Sequence, residues 1–572
     1  MIIGKGQTYN RLKYIWRFGK KYVLFFIVAE ICILVSYAVS VLLPMNLTRL
    51  TDRVLYGGEY ELLGTVIRDY CLLFSIATFF NFAYAFVWQY LNNHYVLDVK
   101  KEMYKKVVYA SSSFLSRMNS GDVMTRIDHD SEQFIHVVQR NLFHFINSAI
   151  MCAGIIWVVA RINGIIAVLL LIAAILPIVI TKLCGKVIEK YTKESRQISG
   201  EWNGRIYEIL KGFREIKLLN AFSWADEKVI KPLKQLLRLE NQSRNVGFAF
   251  GKGIDFINLL SNFLIYGFSV HLIIKGKLTV GLFLALIQYV SLLHRKFNWM
   301  MRIWFDWYNR KVSIDRVVDI LELEPEACGT NVVQEIRTVE FRDVDFEYEE
   351  GCPVLRNFNL RITAGKRIGI VGHSGNGKTT ITSLLLGFYQ VNKGLILIND
   401  IPIADIDQIQ LRKKIGIVSQ DVIIFEDTIR YNLNLGNDYS DDEIYDALKS
   451  VELLDAVNAL PNRIDTVISS VSHNLSGGQK QRLMIARMLL RKPSFVILDE
   501  ATSSLDVETE KVITQMLNEK KLNATLIVIS HRFETIRNCQ EVVVINNHTV
   551  EAIDTPEALI ENSPTYRALY GK

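Results

Sequence analysis

RIGIVGHSGNGKTTITSLLLGFY, residues 367–389, begins with a short apolar run, turns through a glycine-rich loop and resumes with a helical pattern. Gly372, Gly377, Lys378 and Thr379 fit the spacing G-x-x-x-x-G-K-[ST]. Glycines let backbone N–H groups turn inward around phosphate oxygens. The helix that follows aims the positive end of its dipole at them. The reading predicts a phosphate cradle from Gly372, Ser374, Gly375, Asn376, Gly377, Lys378, Thr379 and Thr380. Lys378 reaches the β and γ phosphates, and Thr379 offers a hydroxyl to Mg²⁺. A chance glycine loop lacks both the strand before it and the helix after it.

Further on stands SFVILDE, residues 494–500. Its apolar residues read as a buried strand that delivers Asp499 and Glu500 at its C-terminal end, where open α/β sheets bind ligands. Asp499 suits the Mg²⁺ shell, and Glu500 can polarise an attacking water. An acidic pair after a strand is common by itself; the phosphate loop upstream gives this one its chemistry. From Val339 onward strand-like and helix-like segments alternate, which predicts an α/β P-loop ATPase domain.

The N-terminal part is different in kind. Of 572 residues, 50% are hydrophobic and 22% charged. Six runs are long enough to cross a bilayer: 22–46, 63–91, 134–159, 164–183, 248–274 and 280–304. The fourth, beginning GIIAVLLLIAAILPIVI, is the cleanest. The segments between runs alternate in charge: 1–21 and 95–133 carry six Lys/Arg each and 182–245 carry fourteen. The opposite loops carry only Arg49 and Arg53, Arg161, and Lys275 and Lys277. The basic side is the cytoplasmic one, so a multi-pass cell-membrane protein with both termini in the cytoplasm is expected. The first 21 residues lack the pattern of a cleavable leader and suit an interfacial helix. The expected division is a membrane domain over 1–320, a linker over 321–336 and a nucleotide-binding domain over 337–572.

The net charge of +7 is small for this length and argues against a nucleic-acid partner. Seven scattered cysteines imply neither a disulfide framework nor a zinc site. Charges inside the spans are costly and usually functional: Glu30 in the first, Asp255 in the fifth, and His294, Arg295 and Lys296 in the sixth. Asp255 is expected near Arg295 or Lys296 in depth. His136, Gln139, Arg140 and His144 recur on one face of the third span, and Trp88, Trp299, Trp304 and Trp307 are candidate cavity aromatics or interfacial anchors.

Between the phosphate loop and the acidic strand lies Leu475-Ser476-Gly477-Gly478-Gln479, which resembles the LSGGQ signature of ATP-binding cassette (ABC) proteins. Tyr348 in DFEYEEG resembles the aromatic that stacks on adenine, Gln420 in GIVSQD the Q-loop glutamine, Asp506 in SSLD the D-loop, and His531 in VISHR the switch histidine. NSGDVMTRIDHD (119–130) and EILKGFREIK (208–217) resemble the two intracellular loops of ABC exporters. The stretch 469–474, SSVSHN, departs from the family by lacking acidic and basic residues before the signature.

The resemblance covers nearly the whole chain and implies a half-size ABC exporter: an α-helical membrane domain of six spans plus an α/β P-loop ATPase domain of ABC type. It implies ATP and Mg²⁺ as cofactors, with Glu500, His531 and Gln420 catalytic and Thr379, Gln420 and Asp499 at the metal. It also implies that Ser476, Gly477, Gly478 and Gln479 meet nucleotide held by another cassette. A second copy of this chain, or a related half-transporter, is then needed. The expected function is ATP-driven export of an amphipathic cargo, with peptide favoured. Flipping of a lipid or lipid-linked carrier and multidrug efflux are the alternatives, and an ATP-gated channel ranks below them.

Overall fold

A computed structural model describes residues 13–112, 114, 118, 120–136, 143–326, 328–349, 351–373, 375–419, 422–469, 474–499, 524–530 and 532–570. It divides into two compact units, Met1–Val108 with Met118–Leu323 and Tyr109–Arg117 with Glu324–Lys572.

The first unit is built on long helices: α1 (Val23–Arg49), α2 (Leu63–Val108), α3 (His144–Ile162), α4 (Gly164–Lys211), α5 (Phe222–Ile274) and α6 (Val280–Leu321). Lys13–Tyr56, Tyr60–Val108, His144–Ile162, Phe222–Ile274 and Val280–Met300 are long and apolar enough to cross a membrane, and α4 carries the apolar stretch Gly164–Pro177. α2, α4 and α5 have 46, 48 and 53 residues. At about 1.5 Å per residue they run about 70–80 Å, against about 30 Å of hydrocarbon. Each therefore continues well beyond lipid as a polar helix.

Local chemistry sets several helix ends. Asn163 has extended backbone and its Oδ1 accepts from the N–H groups of Ile165 and Ile166, starting α4. Thr279 Oγ1 accepts from Leu282 N–H and starts α6. Gly212 ends α4, and a short helix, Phe213–Leu218, precedes α5.

Phe79, Phe82 and Phe86 form a helical stripe on α2 and are 67%, 71% and 71% exposed. In water such a stripe would drive association; lipid tails cover it without cost. Inward, Tyr22, Phe26, Trp88, Tyr95 and Phe134 pack α1 and α2 against helix Ser131–His136 and the end of α6. Met151, Ile155, Leu170, Ile265 and Tyr289 pack α3, α4, α5 and α6.

The second unit is α/β. Its strands are β1 (Thr338–Glu347), β2 (Pro353–Thr363), β3 (Arg367–Gly372), β4 (Lys393–Ile398), β5 (Ile401–Pro402) and β6 (Ile415–Val418). They continue with β7 (Asp427–Thr428), β8 (Val467–Ile468), β9 (Phe495–Asp499), β10 (Thr525–Ile529), β11 (Glu541–Asn546) and β12 (Thr549–Asp554). One sheet is antiparallel, in the order β2-β1-β4-β5; the larger has the order β12-β11-β3-β10-β9-β6. The larger sheet is parallel except for the β11–β12 pair. Its central strands are apolar on both faces because both are covered. Val371, Val496, Leu498 and Val528 enter one core, while Ile370, Ile497, Ile527 and Ile529 enter the other. Val333 and Ile336, just before β1, join the second of these cores. Arg412 grips the Glu326 carboxylate with both guanidinium Nη atoms.

Candidate nucleotide site

β3 runs into the glycine loop, and helix α7 (Lys378–Leu385) leaves it. Gly377 sits at the helix start with φ of 84°, a conformation that glycine reaches without a Cβ penalty. A Cβ there would lie 3.0 Å from Leu355 Cδ2, so the loop also needs the missing side chain for close packing. Asn376 Nδ2 donates to the Ile545 carbonyl of β11 (3.2 Å), which fastens the loop to the sheet. Lys378 is buried, and its Nζ donates to the carbonyls of Gly372 (2.7 Å) and His373 (3.1 Å). The ammonium is thereby held over the loop. Gly375 and Thr379 are exposed beside it, and Ser374 lies outside the described residues.

Thr380 is buried, and its hydroxyl shares a hydrogen bond with the Tyr348 hydroxyl (3.1 Å). Tyr348 stands edge-on to Phe346 and Tyr389, with centroids 4.9 and 5.1 Å away. These contacts fix a partly exposed ring next to the first turn of α7. Replacing Tyr348 by alanine is expected to weaken ATP binding by about 1–3 kcal/mol, the usual worth of a base-stacking aromatic. Tyr348→Phe should lose much less. Titration with a fluorescent ATP analogue checks both.

Asp499 ends β9 and is buried. It pairs in register with Ile529 of β10, whose other neighbour is Ile370 of β3. Two strand spacings, about 10 Å, therefore separate its backbone from the strand that feeds the loop. An exposed threonine hydroxyl and a buried carboxylate at one sheet end make an oxygen donor set of the type Mg²⁺ takes. Gln420, Glu500, Asp506 and His531 lie outside the described residues. β6, β9 and β10 run parallel to β3 and end on the same side of the sheet.

Ser476 caps helix α8 (Gly477–Leu490) in a capping box: its Oγ accepts from Gln479 N–H, and Gln479 Oε1 accepts from Ser476 N–H (2.8 Å). Ser476 and Gly477 are exposed and Gly478 is half-buried. A Cβ on Gly477 would meet nothing within 4 Å, so no packing among the described residues requires glycine there. Leu475, Leu483, Ile485 and Ala486 pack in the core with Val371 and Leu498, whereas Ile381, Leu384 and Leu385 of α7 pack in the core with Ile370 and Ile497. Side chains on successive strand residues point to opposite faces. The sheet thus stands between the phosphate loop helix and the signature helix of one chain.

Sequence reasoning missed the link between α8 and the segment that follows Gln420. Arg487 donates to the Asn432 carbonyl (2.6 Å), to Asn432 Oδ1 (3.1 Å) and to the Ile423 carbonyl (3.2 Å). Fully buried Asn432 also bonds Phe425 at both backbone N–H and carbonyl. Burial lowers the Arg487 pKa. No spacing motif announces this hub, because its partners are far apart in sequence.

In the membrane unit, the pairing of Asp255 with Arg295 or Lys296 that comparable depth makes possible is not formed. Asp255 is exposed and bonds Lys252, one helical turn away (3.2 Å). The half-buried Lys296 donates to the Tyr37 hydroxyl (2.7 Å) and lies 4.0 Å from that ring's centroid. The physical reason is reach: a neighbour on the same helix is available to Asp255, and an aromatic face on α1 accepts the ammonium. Glu30 accepts from Asn147 Nδ2 (3.2 Å). The Tyr84 hydroxyl meets His144, whose ring packs on Trp299. Trp88 is a core residue, 2% exposed. His136 is on helix Ser131–His136; Gln139, Arg140 and the side chains of Trp304 and Trp307 lie outside the described residues.

Residues 26–297 match the ABC transporter transmembrane region and residues 355–503 match the ABC transporter family. The chain is 27% identical over 95% of its length to an ATP-dependent lipid A-core flippase of Syntrophus aciditrophicus, covering 91% of that protein. It is 29% identical to the flippase of the same name from Haemophilus influenzae, over 89% of this chain and 87% of that one. It is 28% identical to a putative export ATP-binding/permease protein of Rickettsia bellii, over 97% of both. A bacterial Atm1-family ABC exporter with ATP bound has the same fold, with a TM-score of 0.86, 24% identity and coverage of 96% of this chain and 98% of that one. The chain belongs to the ABC transporters, as an exporter of half-transporter type with membrane region and cassette in one polypeptide. It is an ATPase coupled to transport, and a multi-pass membrane protein.

Proposed function

We propose that two copies of this chain move an anionic amphipathic lipid from the cytoplasmic leaflet outward. The observation that carries this reading is Lys296. Its ammonium is half-buried at membrane depth, and among the described residues its partner is a phenol, not a carboxylate. A cation so placed is expensive unless it meets an anion in use, and a lipid phosphate supplies one. The flippases among the relatives are named for lipid A-core; none of the relatives reported above is named for a peptide, the cargo favoured from sequence. Positive charge on 1–21, 95–133 and 182–245 supports cytoplasmic termini.

The chemistry follows from the site. The glycine loop and the end of α7 bind the phosphates, Lys378 neutralises the β and γ oxygens, and Tyr348 stacks on the base. Thr379, Asp499 and Gln420 would hold Mg²⁺, which when bound neutralises phosphate charge. Glu500 orients the attacking water and takes its proton, while His531 steadies the γ phosphate. Ser476 and Gly478 complete the site of the other copy, so ATP favours the closed pair and its hydrolysis releases it.

The test is ATP-dependent inversion of a fluorescent anionic phospholipid in proteoliposomes. Lys296→Ala is expected to lower lipid-stimulated ATPase activity about 10- to 100-fold, the worth of one charged hydrogen bond, and Lys296→Arg to keep most of it. Stimulation by peptides and not by lipids would reject the lipid reading.

A further inference from the structure

The outer parts of α1 and α2 line an open groove of about 330 Å³. Leu42, Met45, Asn46 and Arg49 line it from α1, and Asp69, Leu72 and Leu73 from α2. The α1 residues recur at i, i+3, i+4 and i+7, so one helical face is presented. Charge and depth are ordered. Arg49 stands seven residues before Tyr56, where the first hairpin arm ends, and Asp69 six residues after Leu63, where the second begins. At about 1.5 Å per residue both lie about 10 Å below the hairpin tip. Leu42 lies about 10 Å deeper still. Polar groups thus lie toward the hairpin tip, with apolar side chains toward the middle of the two helices.

Three features point to a ligand rather than to a structural contact. Arg49 is exposed and forms no ion pair among the described residues. Asp69 lines the cavity with a carboxylate that Arg68 shares from the same helix. Asn46 is 5% exposed; its Nδ2 is committed to the Val66 carbonyl (3.2 Å), and its Oδ1 has no hydrogen-bond partner among the described residues. The carbonyl accepts only, so the amide orientation is fixed and the oxygen remains the orphan. A buried orphan beside a cavity is completed from outside the chain, by a water or by a ligand's donor.

We propose that this groove is a binding site for a bilayer phospholipid whose headgroup carries both a phosphate and N–H donors, as phosphatidylethanolamine does. Arg49 takes the phosphate, Asp69 and Asn46 Oδ1 take the ammonium, and a chain lies along Leu42 and Leu72. A quaternary ammonium has no N–H and leaves both acceptors unmet. The site is distinct from Lys296 and does not depend on the cargo.

Native mass spectrometry of the delipidated full-length protein tests this, with phosphatidylethanolamine and phosphatidylcholine of identical chains as probes. The unaltered protein should retain the ethanolamine lipid about tenfold better. Asp69→Asn removes the charge and should reduce that preference several-fold, Arg49→Ala should weaken both lipids about tenfold, and Arg49→Lys should restore binding. Lys296→Ala should leave the retention unchanged, whatever becomes of lipid export. Equal retention of the two lipids by the unaltered protein would overturn the proposal. So would unchanged binding by Arg49→Ala, or loss on Lys296→Ala, which would put the lipid in the cargo site.

Discussion

Lys378→Ala is expected to lower ATP turnover by about 10²–10³-fold or more, the usual loss when a fixed charge facing a transferring phosphoryl group is removed. The position of Lys378 accounts for the size of the loss. Lys378 Nζ is held by the loop's own carbonyls at Gly372 and His373, in a buried position at the start of α7. Its charge is therefore aimed before nucleotide arrives, and little reorganisation is left to do. Alanine removes the charge and leaves the two carbonyls facing the phosphates. ATPase activity of the purified protein in lipid is the measurement, with tryptophan or nucleotide-analogue fluorescence to follow binding. Turnover within a few-fold of the unaltered protein would remove Lys378 from the phosphate clamp.

Ser476→Arg is expected to cut hydrolysis about 10²-fold or more while leaving the affinity of a single cassette for ATP within about threefold. The split follows from topology. α7 and α8 pack into different cores on opposite faces of the larger sheet, so Ser476 does not face the phosphate loop of its own chain. An arginine at an exposed position with open space at Gly477 can be accommodated by the chain itself. It would obstruct only a second cassette brought against that face. Equilibrium binding and turnover measured on the same preparation separate the effects. Equal loss of binding and turnover would mean that the signature acts within its own chain, and the paired arrangement would fail.

Much of the nucleotide unit was legible in the chain because its chemistry is local. The glycine loop, the lysine after it and the following helix lie within one short stretch, and backbone geometry obliges that order. The apolar strand ending at Asp499 could be read the same way. Tyr348 could be matched by motif, but not the bond from its hydroxyl to Thr380 that steadies the ring. The hub of Asn432 and Arg487 gave no signal, since a buried amide and guanidinium are recognised only by their partners.

The membrane unit divides along the same line. Helices long enough to cross lipid follow from runs of apolar residues, because a backbone without water must satisfy its own hydrogen bonds. Which charges meet does not follow from comparable depth. Asp255 and Lys296 lie on neighbouring helices in the chain, yet Lys252 and Tyr37 are their partners. Helix rotation about its axis decides such pairs, and rotation is set by packing of α5 on α4 and of α6 on α1 and α3. Identity of elements, phosphate chemistry and membrane insertion thus rest on short-range patterns. The facing of α7 and α8, the partner of Lys296 and the Asn46 groove rest on contacts between residues distant in the chain, which only the assembled fold can select.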